Sequence, residues 1–206
     1  MEKPDKKSSI LAAAENLFSE LGYEGTSTRQ IAKAAGANMS MISYYFGSKE
    51  GVFLEIMNKR IESFAAELTS INQYPISPME KLHKVIEGYT NKILSNISFH
   101  KMMHRELSLA QRPEMYCKLK DAMSGNLQVI EKIIHEGIAK GMFRPVDVRM
   151  LIATIMGTIT SVATMPSKIT EGSVLDITIP KDREILTQRL ITHLEDLVTT
   201  YLTPQK

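Results

Sequence analysis

The chain has 206 residues, of which 43% are hydrophobic and 23% charged, and its formal net charge is +2. This composition is typical of a soluble globular protein with a sizeable core and excludes a chain that is disordered over most of its length. A single cysteine, Cys117, cannot form an internal disulfide, which fits a reducing cytoplasm. Glu15 interrupts the first apolar run, so no signal peptide is predicted. The least polar stretch, residues 151–164, is too short to span a bilayer, so no membrane partner is expected.

The first fifty residues predict three short helices. Ser27 followed by Gln30 is a capping-box pattern at the start of the second helix. Gly36 can adopt the left-handed conformation that ends this helix, and Asn38 is a good cap for the third. Two helices separated by so few residues must cross steeply, so the spacing predicts a helix-turn-helix unit.

The third helix is predicted to be held to a small core by Ile42 and Phe46, which lie four residues apart. Its remaining positions are left for solvent or a partner. A longer connector helix, about residues 49–70, follows it. Pro75 and Pro78 then break the chain.

The rest of the chain predicts an all-helical body without a confident strand. The last helix of this body carries an apolar set that is too broad for one face of a surface helix, which predicts packing both inward and against a second chain. In the helix that Pro113 opens, a buried stripe is predicted that includes Leu119, Met123, Ile130 and Ile134. The predicted helices cover about residues 79–94, 98–109, 113–139, 147–164 and 182–202.

Two histidines of the body, His100 and His104, lie four residues apart and would share a helix face, a spacing that can bind a metal. There is neither an HExxH pattern nor a second cysteine, so a solvated or hydrogen-bonded pair is favoured. No metal site and no cofactor are therefore predicted. A redox role for Cys117 stays open.

The thirteen methionines offer flexible thioethers that suit an adaptable apolar pocket. Ordinary core filling is the alternative interpretation. The candidate residues for lining an effector pocket are Phe99, Met103, His104, Tyr116, Met123 and Met156.

The segment Gly22–Phe53, GYEGTSTRQIAKAAGANMSMISYYFGSKEGVF, resembles the DNA-binding signature of the TetR/AcrR family of bacterial transcriptional regulators. Residues 134–147 also resemble a piece of that family's helical body. The resemblance implies an all-α protein of about nine helices. Residues 1–50 would form a helix-turn-helix DNA-binding domain, and the connector of about 49–70 would join it to an effector-binding and dimerisation domain, residues 51–206.

The resemblance also implies which residues contact DNA. Tyr45 stands where the family usually has a histidine and Lys49 matches a lysine, and both positions typically bind phosphate. Ser43 replaces a common tyrosine and Met39 a common polar residue, so the operator sequence does not follow. The alternative is that Tyr44 and Tyr45 are core aromatics. The assigned DNA contacts are Thr28, Arg29, Met39, Ser40, Ser43, Tyr44, Tyr45 and Lys49.

Together these observations predict a regulator that binds an operator in double-stranded DNA. The resemblance implies a homodimer through about residues 147–165 and 182–202, usually a repressor released from a near-palindromic operator by a small-molecule effector. The alternative is a helical adaptor protein without an effector. An enzyme is not predicted, because the sequence has no nucleophile elbow, phosphate loop or zinc-ligand spacing.

Overall fold

The computed structural model describes residues 5–108, 113–170 and 175–204. Within these ranges the chain is helical and contains no strand, so the all-α prediction is confirmed. A short helix, Ser167–Thr170, lies between the predicted helices of about 147–164 and 182–202. The described helices are α1 Lys6–Gly25, α2 Thr28–Ala34, α3 Met39–Phe46, α4 Lys49–Gln73, α5 Pro78–Ser95, α6 Ile97–Ser108, α7 Pro113–Ala139, α8 Val148–Thr164, α9 Ser167–Thr170 and α10 Pro180–Leu202.

The chain forms two compact units. One consists of Met1–Ser63 and Ser98–Met123, and the other of Phe64–Ile97 and Ser124–Lys206. Helices α4 and α7 each contribute residues to both units. The connector helix is therefore shared, and α6 belongs to the same unit as the three N-terminal helices.

The first unit is built on an aromatic cluster. The rings of Phe18, Tyr23 and Phe53 lie 5.3 to 5.7 Å apart. Phe99 from α6 packs at 6.5 Å from Phe53. Close aromatic packing of this kind stabilises a small core beyond the area that it buries. Gly22, with φ of 75°, breaks the helical path of α1 beside this cluster.

The second unit is centred on α5, which packs against α8 and α10. Ser77 and Glu80 form a capping box at the start of α5, with Pro78 in its first turn. Gly137 and Phe143 pack at the end of α7, where a Cβ on Gly137 would lie 2.2 Å from the ring. None of the described helices has both the length and the apolar character that crossing a membrane requires.

The stripe predicted on α7 is correct except at Met123. Leu119, Ile130 and Ile134 are buried, but Met123 is 36% exposed. It is the last residue of the first unit on this helix. Because α7 changes neighbours at this point, its buried face is not one continuous stripe.

Candidate DNA-binding surface

Side-chain caps define the ends of α2 and α3. Gln30 donates its backbone N–H to Ser27 Oγ at 3.2 Å, and Ser27 donates its own backbone N–H to Gln30 Oε1 at 2.8 Å. Asn38 Oδ1 accepts from the backbone N–H of Met41 at 2.9 Å. Gly36 has φ of 58°. The predicted capping box, left-handed glycine and second cap are all confirmed, so the turn between the two helices is tightly specified.

One face of α3 is buried and the other lies in solvent. Ile42 is 1% exposed and Phe46 packs partly buried against the core of the first unit. On the opposite face Tyr44 is 84% exposed, and Met39 in the first turn of the helix is 52% exposed. Such exposure excludes Tyr44 as a core aromatic. Exposed large apolar groups grouped on one short helix indicate a binding surface.

The other assigned residues of α3 are also exposed. Ser40, Ser43 and Tyr45 point into solvent, and the ring of Tyr45 packs edge-on to Tyr44 at 5.2 Å. Ser40 Oγ donates to Asn38 Oδ1 at 2.6 Å. Since this bond uses the hydroxyl proton, Ser40 can only accept a hydrogen bond from a base-edge donor while the bond persists, and it cannot donate to a phosphate oxygen.

Helix α2 adds polar groups beside this face. Arg29 is exposed and Thr28 is half-buried in the first turn of the helix. Lys33 is exposed near its end, and Lys6 Nζ donates to the carbonyl oxygen of Gly36, in the turn, at 3.0 Å. Lys6 and Lys33 were absent from the assigned contacts. Their charge is visible in the sequence, but their place beside the turn depends on how α1 packs on α2.

Lys49 is turned toward the protein. Its Nζ donates to the carbonyl oxygen of Tyr23 at 2.9 Å and lies 4.3 Å from the centre of the Tyr23 ring. The Glu24 carboxylate is 3.9 Å away. Burial lowers the pKa of Lys49, and the negative charge of Glu106 opposes that shift. The ammonium group at the start of α4 thus holds the end of α1.

Lys7, a further cation in the first turn of α1, is paired. Its Nζ lies 2.7 Å from the Glu55 carboxylate. The hydrogen bond and charge of Glu55 raise the pKa of Lys7. This lysine therefore adds little net positive charge to the surface around α3.

The second unit contains a small cavity between α5, α7 and α8. Its volume is about 10 Å³, about the space that one water molecule needs. Tyr89 carries the only hydroxyl group among its lining side chains. The lining residues are Leu82, Val85, Ile86, Tyr89, Ile130, Ile152, Ile155 and Met156.

The predicted pocket residues do not come together around this cavity. Of the six, only Met156 lines it. Phe99 and Met103 pack in the core of the first unit. His104 and Met123 are exposed. These four residues lie away from the cavity because α6 and the start of α7 fold with the DNA-binding helices. The side chain of Tyr116 lies outside the described residues. In the sequence, the signal for these lining residues is the helical spacing of apolar side chains on α5, at Leu82, Val85, Ile86 and Tyr89. Core packing produces the same pattern, so the spacing alone does not identify a pocket.

The two spaced histidines differ in environment. His100 is 5% exposed, whereas His104 is exposed. Burial, followed by the charges of His104 and Arg60, lowers the pKa of His100 to about 4. Within the described ranges, no three His, Cys, Asp or Glu side chains are grouped so as to hold a metal ion. Cys117 is exposed.

Comparison with known proteins agrees with this geometry. The family model "Bacterial regulatory proteins, tetR family" matches residues 10–56, and the model "Tetracyclin repressor-like, C-terminal domain" matches residues 75–164. The Fatty acid metabolism regulator protein of Bacillus subtilis is 26% identical, over 79% of this chain and 84% of that protein. The HTH-type transcriptional repressor NicS of Pseudomonas putida is 30% identical, over 67% of this chain and 66% of that protein.

A solved structure has the same fold. It is the transcriptional regulator FadR from Bacillus subtilis in complex with stearoyl-CoA, with a TM-score of 0.73, 23% identity, and coverage of 91% of this chain and 96% of that one.

A capped helix-turn-helix with an exposed third helix, joined to a helical body, defines a DNA-binding transcriptional regulator. The chain belongs to the TetR family of bacterial regulatory proteins. Proteins of this family act by binding DNA and are not enzymes, so the chain is a regulator and not an enzyme.

Proposed function

We propose that this regulator is a homodimeric repressor that binds a near-palindromic operator and is released by a small-molecule effector with an apolar chain. The observation that carries the DNA-binding part is the exposed face of α3, where Tyr44 is 84% exposed beside a fully capped α2. Residues 1–50 would hold the DNA-contacting surface and residues 51–206 the effector and dimer functions. Repression is favoured by the similarity to NicS, which is named a repressor.

The residues of the DNA surface divide into two roles. Arg29, Met39 and Ser43 would meet base edges, with Met39 suited to a thymine methyl group. Tyr44 and Ser40 would join them as neutral hydrogen-bonding groups. The phosphate contacts, Thr28, Tyr45 and Lys49, would orient the unit.

Dimerisation is supported by apolar side chains that remain exposed on α8 and α10. Met150 on α8 is 64% exposed, and Ile185 and Tyr201 on α10 are 47% and 42% exposed. Covering such residues with a second copy buries apolar surface. A two-fold dimer presents two copies of α3, which requires an operator with two-fold symmetry.

The effector class is proposed from the cavity and the relatives. The lining is aliphatic except for Tyr89, which suits a hydrocarbon chain. One relative is a fatty acid metabolism regulator, and a protein of the same fold was solved with stearoyl-CoA. We therefore propose a long-chain acyl thioester as the effector. The cavity is far smaller than such a chain, so binding must open the packing of α5, α7 and α8 and favour a state with lower DNA affinity.

The DNA-binding part is tested with an operator selected from a random duplex pool by the full-length protein. Tyr44→Ala should weaken operator binding by about 1–3 kcal/mol, the range for a lost base or phosphate contact. Tyr74→Ala is the matched control, because Tyr74 is also an exposed tyrosine but lies in the second unit. Equal affinity of Tyr44→Ala and wild type would contradict the assignment of α3.

The effector part is tested separately. Stearoyl-CoA should release the operator complex, whereas coenzyme A alone should not, because the cavity accepts apolar groups. Operator binding that is insensitive to both would reject the acyl thioester and leave the DNA-binding assignment intact. A monomer in light scattering that binds no DNA would instead favour the adaptor alternative.

A further inference from the structure

The segment that forms α2, α3 and the turn between them contains basic but no acidic side chains. Residues 25–49 include Arg29, Lys33 and Lys49, and neither Asp nor Glu occurs among them. Over the whole chain the two signs nearly balance, with 25 Lys and Arg against 23 Asp and Glu. The carboxylates are therefore kept away from this segment, and a surface with one sign of charge attracts a polyanion.

Lys6 brings a further positive charge to the α2–α3 turn, residues 35–38. Its Nζ donates to the carbonyl oxygen of Gly36 at 3.0 Å, and both residues are exposed. An ammonium group has three donors, so this bond leaves two for another acceptor. The first turn of α1 thus places a lysine at the turn with donors that can meet a phosphate oxygen.

Lys33 belongs to the last turn of α2, which leads into the same turn. Its carbonyl oxygen accepts from the backbone N–H of Gly36 at 3.3 Å, and its side chain is exposed. Among the described residues, neither Lys6 nor Lys33 forms an ion pair with a carboxylate. These two residues, the turn lysines, therefore keep their charge for a partner.

Other cations of the first unit are offset by carboxylates. Lys7 Nζ lies 2.7 Å from Glu55, and Lys49 Nζ lies 3.9 Å from Glu24. A carboxylate beside a lysine reduces the positive potential that an approaching phosphate group meets. The turn lysines differ from Lys7 and Lys49 in this respect, although all four lie in the same unit.

We propose that the turn lysines bind the phosphate backbone of DNA and supply much of the salt-dependent part of its binding. This inference rests on the DNA-binding surface proposed above and adds Lys6 and Lys33 to it. Helix α3, Met39–Phe46, has no charged side chain, so its face can read bases but attracts phosphate only weakly. Contacts to phosphate position a protein on the duplex and carry no sequence information.

A purely structural role is the alternative for both lysines. A cation near the carbonyl end of a helix is favourable, so Lys6 and Lys33 would then only stabilise the end of α2. The two roles predict different salt dependence. A phosphate contact releases counterions from DNA, whereas support of the helix end changes affinity by a factor that does not depend on salt.

The experiment compares full-length Lys6→Gln and Lys33→Gln with wild type between 50 and 200 mM salt. Affinity is measured for the selected operator and for an unrelated duplex, and the thermal midpoint of each variant is recorded. Lys84→Gln is the matched control, because it makes the same charge change at an exposed lysine of the second unit. Lys6→Arg keeps the charge at the turn.

Each lost phosphate contact should reduce the slope of log affinity against log salt by about 0.9, hence by about 1.8 for two copies on an operator. The affinity ratio of wild type to each Gln variant should consequently shrink about tenfold from 50 to 200 mM salt. The unrelated duplex should lose affinity in the same way, because its phosphates are the same. Lys84→Gln and Lys6→Arg should keep the wild-type slope.

Wild-type slopes in Lys6→Gln and Lys33→Gln would overturn the proposal, and a lower thermal midpoint with those slopes would assign both lysines to the end of α2. An equal loss of slope in Lys84→Gln would also overturn it, since the effect would then follow net charge alone. If Tyr44→Ala weakens operator binding while the lysine variants keep the wild-type slope, the surface of α3 stands without this inference. If wild type binds neither duplex, both fail.

Discussion

Lys49 donates a hydrogen bond from Nζ to the carbonyl oxygen of Tyr23 at 2.9 Å, across 26 residues of sequence. The bond joins the start of α4 to the end of α1. A lysine at this place therefore supports the structure of the helix-turn-helix unit as well as offering a positive charge near DNA. The ammonium group has three donors, so the two roles are compatible.

Removing this ammonium group should therefore destabilise the protein. Lys49→Met keeps most of the aliphatic stem but leaves the Tyr23 carbonyl with only the longer bond from the backbone N–H of Thr26, at 3.3 Å. The loss of the ammonium donor should cost about 1 kcal/mol of unfolding free energy. Urea unfolding of the full chain measures the change. Lys33→Met, at an exposed lysine of α2, is the control and should leave stability unaltered. Equal stability of the two variants would mean that Lys49 has no structural role.

Two glycines of α7 should respond in opposite directions to alanine. A Cβ on Gly137 would lie 2.2 Å from the buried ring of Phe143, so Gly137→Ala should destabilise the protein by about 1–3 kcal/mol through overpacking. Gly125 has no atom within 4 Å of the added Cβ. Gly125→Ala should therefore stabilise the helix by about 0.5–1 kcal/mol.

The thermal unfolding midpoints of Gly137→Ala and Gly125→Ala, each compared with wild type, test this prediction. A midpoint for Gly137→Ala at or above that of Gly125→Ala would show that Phe143 moves aside at little cost.

Buried His100 should make the protein sensitive to acid. Burial lowers its folded-state pKa from the ordinary value of 6.5 to about 4, so the unfolded chain takes up the proton first. As pH falls from about 6.5 to about 4, stability should drop by at most about 3 kcal/mol from this group. Above about pH 6.5 His100 causes no further change in stability, because its ring is neutral in both the folded and the unfolded chain.

The test is urea unfolding at pH 7.5 and pH 5. His100→Phe should reduce the loss of stability between these two values, because the titrating ring is gone. His135→Gln, at an exposed histidine of α7, should leave the loss as it is in wild type. A pH dependence that His100→Phe does not change would assign the acid sensitivity to other groups.

A charge placed on the exposed apolar face of α10 should weaken the proposed homodimer. Ile185 is 47% exposed in the single chain, and Ile185→Glu would bury a carboxylate in the interface, which is unfavourable without a partner. Light scattering over a concentration series should show an increased monomer fraction. Gln188→Glu adds the same charge at an exposed position of the same helix. A similar dimer content in both variants would place the interface elsewhere.

Much of the DNA-binding unit follows from local sequence. The capping box of Ser27 and Gln30, the left-handed Gly36 and the Asn38 cap each depend on residues within a few positions of one another. Local hydrogen bonding decides such features, so a sequence pattern predicts them directly. The exposure of Tyr44 follows in the same way, because Ile42 and Phe46 take the buried face of α3.

The candidate pocket could not be predicted in this way. Met103 and His104 lie on an amphipathic helix, and helical spacing shows that one face is buried but not against which neighbours. Nothing in the sequence distinguishes Tyr89, as a residue of the cavity wall, from the other residues on the apolar face of α5. The sequence also does not show that the Lys49 side chain turns toward the protein, because its acceptor on Tyr23 lies 26 residues away.

The sequence by itself therefore determined the helices, their caps, the helix-turn-helix unit and the family of the protein, since these depend on short-range spacing and local hydrogen bonds. Only the tertiary structure decided that α6 joins the first unit, that Lys49 bonds to the end of α1, and that Tyr89 lines the cavity. These are contacts between residues distant in sequence, and packing selects them from many arrangements that the same amphipathic helices allow.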